Sequence, residues 1–483
     1  MRNKKVAMCI IMFLVVLVFG IIGPDLSKRT GNTGDKTTEN TTEYFQNSYD
    51  SNTTEIIVST EEKVSTENDT TVEVTATTET NTSTEEIVST KEATETDELV
   101  STEIAETTED TVESNNSSYK SDKYAIDAVN AGIIMLSAMN NYILSADVEA
   151  EIDKLVDGMT LEEKVGQIFF IKNDGRFDGS ILNEYPVGGV ILFKGDFVGK
   201  TEQGVKDSIA NLQNNSKIPL LIGIDEEGGT VVRLSCYSLL APYQFRSPRD
   251  VYYAGGFAGI EEDTVTKSEL LLSYGINVNF APVCDVPDSN GDFIYTRSFS
   301  EDVELTEQYV QLMVETMNEC NMGSVLKHFP GYGNNVDTHN SVARDLRSIE
   351  EFENVDLKPF QAGIDSGAWC ILISHNIVEC MDKDNPASLS ADVHNLLRQD
   401  MKFGGVIITD DLMMNGIANL YTKEEAAVQA VLSGNDMILA TDYQVQYEAV
   451  LNAVKSGRIK EEQLEESIKR ILRWKYSLGL LDI

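Results

Sequence analysis

The sequence is short of positive charge. Its 38 Lys and Arg stand against 79 Asp and Glu, a formal net charge of −41 over 483 residues. That imbalance argues against nucleic acid as a partner, because neutralising phosphates takes clustered Lys and Arg. It suits solubility in a salty or crowded extracellular medium. Cysteine is scarce too. None of Cys9, Cys236, Cys284, Cys320, Cys370 and Cys380 makes a CxxC pair, so a zinc or thioredoxin-like site is unsupported. No metal-ligand cluster or nucleotide-binding loop is visible, and no metal or cofactor is expected. Residues 31–120 have no proline, glycine only at their start, and only Tyr44, Phe45, Tyr49 and Tyr119 as aromatics. Thr, Glu, Ser, Asn and Val dominate there. Such a stretch cannot bury enough apolar surface to offset its ordering entropy.

One apolar run is long. Arg2, Lys4 and Lys5 precede residues 6–23, and Pro24 follows. At about 18 residues the run is at the lower limit for spanning a bilayer. The basic flank puts the N-terminus in the cytoplasm. No small-x-small cleavage site follows, so residues 1–30 are expected to be a signal-anchor or uncleaved signal rather than a cleaved signal peptide. Residues 31–122 are expected to be a disordered acidic stalk. Val-Ser-Thr recurs within it at Val58, Val64, Val88 and Val100, too irregularly for a solenoid. The stalk would hold a folded part, residues 123–483, away from a cell surface. The expected product is an extracellular monomer, secreted or held to the membrane by its N-terminal segment.

In the folded part, eight nearly continuous apolar runs recur between turn signals. They cover residues 165–171, 187–193, 219–225, 276–286, 324–330, 369–375, 405–411 and 436–440. Runs of this kind fit parallel strands buried on both faces. Helical spacing of apolar residues lies between them, at 146–159, 204–214, 303–321, 357–366, 390–401 and 424–433, and a last helix at 460–478. Eight strands alternating with helices predict a single (β/α)8 barrel, in preference to a doubly wound open sheet. Several runs end in polar residues: Asp225, Asp285, Lys327-His328, His375 and Asp410-Asp411. Charge at the end of an apolar strand is a poor core filler. In a barrel these ends converge on one face, where active sites sit.

Three segments hold the chemistry. The first runs from Lys327-His328-Phe329-Pro330-Gly331 to Asp337-Thr338-His339. A carboxylate two residues from an imidazole can fix its tautomer and raise its basicity. Only four histidines exist in the chain, and two fall here. An Asp-x-His on its own is usually a surface turn. The second, Gly405 to Leu412, is an apolar strand ending in Asp410 and Asp411. One carboxylate can enter the barrel mouth while the other caps the following turn. The third, Gly223-Ile224-Asp225-Glu226-Glu227-Gly228-Gly229 to Arg233, sets an acceptor and a donor for sugar hydroxyls around a glycine pair. Its bland reading is an acidic turn.

Together these segments resemble glycoside hydrolase family 3 over roughly residues 150–483. The family signature of two aliphatics, a basic residue, a spacer, Gly, three aliphatics and Ser/Thr-Asp is met by Leu396-Leu397-Arg398 through Gly405 to Thr409-Asp410. The Lys-His-Phe-Pro-Gly segment is a second hallmark. The Asp-Ser/Thr-His loop resembles the β-N-acetylhexosaminidase branch. The resemblance implies Asp410 as nucleophile and His339, paired with Asp337, as general acid/base. It implies Asp225, Arg233, Arg297, Lys327 and His328 as substrate contacts, with His375 in a supporting position. Departures are Glu226 in place of the usual Gln, Thr230 where Arg is common, Met413 in place of a small or polar residue, and three residues rather than four between Gly333 and Asp337.

The implied reaction is retaining release of terminal N-acetylglucosamine from peptidoglycan or chitin-type oligosaccharides. A histidine acid/base repels anions less than a carboxylate, so a phosphorylase is the alternative. A β-glucosidase or xylosidase is another, but such members commonly carry a sandwich domain that is not expected after Ile483. A non-catalytic sugar-binding protein would be expected to have lost Asp410 or the His339 pair.

Overall fold

The computed structural model describes residue 142 and residues 144–338 and 342–483. The expected anchor (1–30), the stalk (31–122) and His339 lie outside the described residues. No helix among the described residues is long and apolar enough to cross a membrane.

Helix α1 (Ala146–Asp157) starts on Ser145, whose side chain accepts from the Val148 N–H. Helix α2 (Leu161–Gln167) starts on a reciprocal Thr160–Glu163 capping box. Such caps are worth about 1 kcal/mol each. The chain then enters β1 (Phe169–Lys172), β2 (Gly189–Leu192), α3 (Glu202–Asn214), β3 (Leu221–Ile224), α4 (Pro248–Tyr274), β4 (Val278–Asn279), α5 (Val303–Glu319) and β5 (Gly323–Phe329). It continues through α6 (Leu357–Asp365), β6 (Cys370–Ile373), β7 (Val406–Thr409), α7 (Lys423–Ser433), β8 (Ile438–Ala440), α8 (Tyr443–Lys455) and α9 (Glu461–Ser477).

The eight strands pair in parallel in sequence order, and β8 returns to β1 with Phe169 opposite Ile438. A parallel bridge between Ile408 and Met437, with Thr409 N donating to Met437 O at 3.2 Å, brings β7 and β8 together. The result is the nearly closed eight-stranded α/β barrel that the strand count predicts. Each of the eight expected runs contains a strand. Three boundaries differ. Residues 165–167 belong to α2, not to the first strand. Of 276–286, only Val278–Asn279 is strand, and Val283 makes a lone bridge to Lys327. The helix expected over 390–401 is helical only at Ala391–Asn395 before widening to a π turn at Leu396–Asp400.

Strand alternation sorts the side chains. Phe169 faces outward to Tyr447 of α8, with ring centroids 5.9 Å apart. Phe170 faces inward and meets Phe280 edge-on at 5.4 Å. Two glycines make room for this inner pair. A Cβ at Gly223 would lie 2.6 Å from Phe280, and one at Gly189 would lie 2.8 Å from Phe170. One layer higher on the rows of Phe170 and Gly223 stand Lys172 and Asp225, at the C-terminal mouth, and Phe193 lies two layers above Gly189 on the same inward-facing side.

Arg398, the basic residue of the family signature, has a structural task. It donates to Phe403 O at 2.9 Å and Gly405 O at 2.7 Å and pairs with Asp436. Asp436 also accepts from Ile407 N at 2.8 Å. The π turn is thereby tied to β7, the strand that ends at Asp410.

Candidate active site

At the mouth, charged side chains from β3, β5 and the loops after β3 and β4 form one connected network. Lys327 Nζ contacts Asp225 Oδ1 at 2.8 Å and Glu227 Oε1 at 2.6 Å. Arg233 approaches Asp225 Oδ2 at 3.4 Å. Arg297 grips Glu227 with two donors, Nη2 at 2.8 Å and Nε at 3.0 Å. The same Nη2 reaches His328 Nε2 at 3.0 Å, and His328 Nδ1 meets Asp285 Oδ2 at 2.7 Å. A guanidinium only donates. His328 Nε2 is therefore the acceptor, and Nδ1 carries the hydrogen to Asp285. All five expected substrate contacts (Asp225, Arg233, Arg297, Lys327 and His328) join this network.

The electrostatics follow from burial against charge. Burial raises the Asp225 carboxyl, but Lys327 and Arg233 outweigh it and hold the group below its ordinary range. Burial likewise opposes ionisation of Glu227, and Arg297 with Lys327 reverse this by a wider margin. Both carboxylates are anionic acceptors at neutral pH.

Glu226, which replaces a usual Gln, is fully buried. Its carboxylate accepts from Arg233 N at 2.8 Å, Leu234 N at 2.9 Å and Ser235 N at 3.2 Å. It ties down the loop that presents Arg233 and has no view of the mouth.

Asp410 ends β7, half-buried, with its N–H donated to Ile373 O at 3.0 Å. Its Oδ1 accepts from Asp411 N at 2.8 Å. Asp411 turns away. It accepts from Met413 N at 3.0 Å and pairs with the Thr441 hydroxyl, the capping task expected of it. His375 is buried and supports this turn, with Nε2 on Asp411 O at 3.0 Å and Nδ1 on Ser388 Oγ at 2.8 Å. The negative charge of Asp410 reaches the Tyr332 hydroxyl, which burial first and this charge second push upward.

Asp337 is half-buried on the loop after β5. This loop is anchored at both ends. Tyr332 N donates to Asp285 Oδ1 at 2.8 Å, and the Tyr332 and Thr338 hydroxyls meet at 2.7 Å. Gly416, just past the Asp410 turn, donates to Thr338 O at 3.0 Å. The far end pairs Arg344–Asp345 with Ile377–Val378 as a two-stranded ladder. The structure thus ties the loop bearing Asp337 to the turn bearing Asp410.

Glu227, Tyr332 and the clamping role of Asp285 were not singled out from sequence. Asp285 was visible as a strand-end acid. Glu227 was hidden in an acidic run that reads as a turn. Among the described residues no group of three or more His, Cys, Asp or Glu is placed to hold a metal ion. The five described cysteines are free. A separate cavity of about 460 Å³ opens outside the barrel beside α3, next to Asn173, Asp196 and Asn211. Its Asp196 and Asn211 side chains already accept from the N–H groups of Gly175 and Gly179.

Known proteins resemble this chain. Residues 160–474 match the family described as glycosyl hydrolase family 3 N terminal domain. A β-hexosaminidase of Xylella fastidiosa (strain M23) is 32% identical over 303 residues, covering 61% of this chain and 88% of that protein. One from Xanthomonas campestris pv. campestris (strain B100) is 33% identical over 236 residues, 48% of this chain and 70% of its own. Among solved structures, a glycoside hydrolase family 3 β-N-acetylglucosaminidase from Paenibacillus sp. str. FPU-7 superposes with a TM-score of 0.62 at 31% identity. That match covers 67% of this chain and 63% of the Paenibacillus one. With the barrel, the strand-end acids and these matches in hand, the chain belongs to glycosyl hydrolase family 3, in the branch of its β-hexosaminidase members, and is a glycoside hydrolase.

Proposed function

We propose that this protein is a retaining, exo-acting β-N-acetylhexosaminidase. It releases terminal β-linked N-acetylglucosamine from peptidoglycan or chitin-type oligosaccharides. The observation that carries this reading is the position of Asp410. It ends β7, diametrically across an eight-strand ring from Asp225 at the end of β3. A pyranose laid across the mouth puts C1 at Asp410 and its hydroxyls at the Asp225–Lys327–Arg297 network.

In the first step Asp410 forms a bond to C1 as the glycosidic C1–O bond breaks. His339 gives its proton to the leaving oxygen. In the second, His339 takes a proton from water, which displaces Asp410. Asp337 orients the imidazole and stabilises its charged form. Water is favoured over phosphate as acceptor because Arg297 and Lys327 are each held by carboxylates at 2.6–2.8 Å. An incoming phosphate would have to break those pairs. We also infer that residues 1–30 anchor the chain, that 31–122 form a stalk, and that the catalytic unit of 123–483 works outside the cell.

A panel of aryl β-glycosides, assayed with and without phosphate, tests this reading. The N-acetylglucosaminide should be the best substrate, with free N-acetylglucosamine as product. The 1-phosphate as product would identify a phosphorylase instead. Asp410→Ala should abolish turnover, and substantial residual activity would sink the nucleophile assignment. His339→Ala should slow natural substrates far more than activated aryl ones, since a good leaving group needs little protonation. Equal losses on both would remove His339 from the acid role.

A further inference from the structure

Lys172 has no place in the reaction described so far. It ends β1 with its side chain on the inward-facing row set by Phe170, so it stands at the barrel mouth. The loops around it are stapled together. Asn173 N donates to Ile191 O at 3.1 Å, Gly195 N to Asp174 Oδ1 at 2.9 Å, and Phe193 N to Asp196 Oδ2 at 2.8 Å. Phe193 is thereby fixed beside Lys172, whose ammonium lies 4.1 Å from the ring centroid. The Arg233 guanidinium lies 5.2 Å from the same centroid.

Two cations therefore flank one ring, and their charges are poorly matched. Arg233 has a single carboxylate contact at 3.4 Å, and its buried Nε–H has no acceptor. Among the described residues no carboxylate pairs with the half-buried Lys172. Lys327 and Arg297, across the mouth, are both paired with Glu227. A buried donor without an acceptor is costly, and so is a half-buried ammonium without a counter-charge. An anion reached by both Lys172 and Arg233 would relieve both.

We propose that Lys172 and Arg233 hold a negatively charged group on the C6 arm of the terminal sugar. The substrate would then be a 6-O-sulfated or 6-O-phosphorylated N-acetylglucosaminide. This rests on the hexosaminidase reading. With C1 at β7 and C4 toward β3, the two edges of the pyranose face β1 and β5. Toward β5 stands Arg297, whose Nη1, the guanidinium nitrogen not given to Glu227 or His328, suits the acetamido carbonyl. The opposite edge carries C6 and faces Lys172. Sulfate and phosphate esters share the anionic oxygens that an ammonium and a guanidinium bind.

The test compares kcat/KM for 4-nitrophenyl N-acetyl-β-D-glucosaminide with its 6-O-sulfo and 6-O-phospho derivatives, using the full chain. Wild type should favour at least one anionic substrate by about tenfold or more, less so at high salt. Which of the two wins separates sulfate from phosphate. Lys172→Met should bring the anionic-to-neutral ratio to one or below, and Lys172→Arg should retain it. A wild-type ratio at or below one, or a ratio untouched by Lys172→Met, overturns the proposal and leaves the hexosaminidase reading standing. If no N-acetylglucosaminide is turned over, the hexosaminidase reading fails. Calorimetric binding of N-acetylglucosamine and its 6-sulfate and 6-phosphate to the Asp410→Asn protein then decides this proposal separately: equal binding of the neutral and charged sugars would overturn it.

Discussion

Glu227 serves the half-buried Arg297 through two hydrogen bonds and Lys327 through a third contact, and Glu227 and Lys327 are nearly closed to solvent. Removing one partner from a buried ion cluster typically costs about 3–5 kcal/mol, because the remaining charges stay buried and uncompensated. Glu227→Gln should therefore cut kcat/KM by roughly two to three orders of magnitude, mostly through KM, since on the proposed reading both displaced cations contact the sugar rather than the leaving group. A loss confined to kcat, or a thermal shift with unchanged KM, would speak against this positioning task. Sequence exposed some of these residues and hid others, for a physical reason. Asp225, Lys327 and Asp410 break apolar runs, and a charge at a strand end is conspicuous. Glu227 lies three residues beyond its strand, where acids are ordinary. Lys172 ends its strand too, but the apolar run stops at Ile171, and a lysine just past it has the pattern of a loop residue.

On the proposed reading the loop after β5 carries the acid/base pair, and Arg347 is its staple. Arg347 pairs with Asp345 at 2.8 Å and Asp356 at 2.7 Å, and its Nη2 reaches Gly331 O at 3.4 Å. Gly331 sits at a φ of 123°, and a Cβ there would lie 2.3 Å from Asp356 Oδ1. That oxygen is buried and has no hydrogen-bond partner. Burial pushes the Asp356 carboxyl up to about 7, with Asp285 and Asp345 adding to the rise and Arg347 opposing it. The folded group binds its proton more tightly than the unfolded one, whose ordinary value is 3.8. Its protonated form therefore favours folding, and that contribution is lost as pH rises from about 4 through about 7. Asp356→Asn removes the titration. Between pH 5 and 8 the wild-type Tm should fall relative to the variant, and parallel Tm curves would refute this assignment. The loop's reach to the turn bearing Asp410 was not legible in sequence, because it depends on contacts such as Gly416 to Thr338 that no local pattern encodes.

For the whole molecule, period and composition carried most of the fold. Eight apolar runs became eight parallel strands because both faces of each are covered, and a buried strand leaves an unbroken apolar signature. The longest helix, Pro248–Tyr274, was not singled out. Gly255 and Gly256 break it in its first third, Gly256 takes a φ of 60°, and its apolar residues do not keep to one stripe. The first strand was read too early for a similar reason, since the buried residues of α2 run on into it. Closure was visible only in the structure. Arg473 of α9 grips Glu149 of α1 with contacts of 2.8 and 3.1 Å, and Lys164 of α2 meets Glu461 of α9 at 2.8 Å. The ring that results sets β7 across from β3, and the central claim depends on that opposition. The claim is that Asp410 becomes covalently bound to the sugar. The direct measurement is to treat the enzyme with a 5-fluoro-N-acetylglucosaminyl fluoride, which slows breakdown of a glycosyl-enzyme, and to map the label by tandem mass spectrometry. The account predicts one sugar adduct on the peptide containing Asp410, localised to that residue. An adduct on any other side chain, or turnover of the reagent with no adduct, would contradict it.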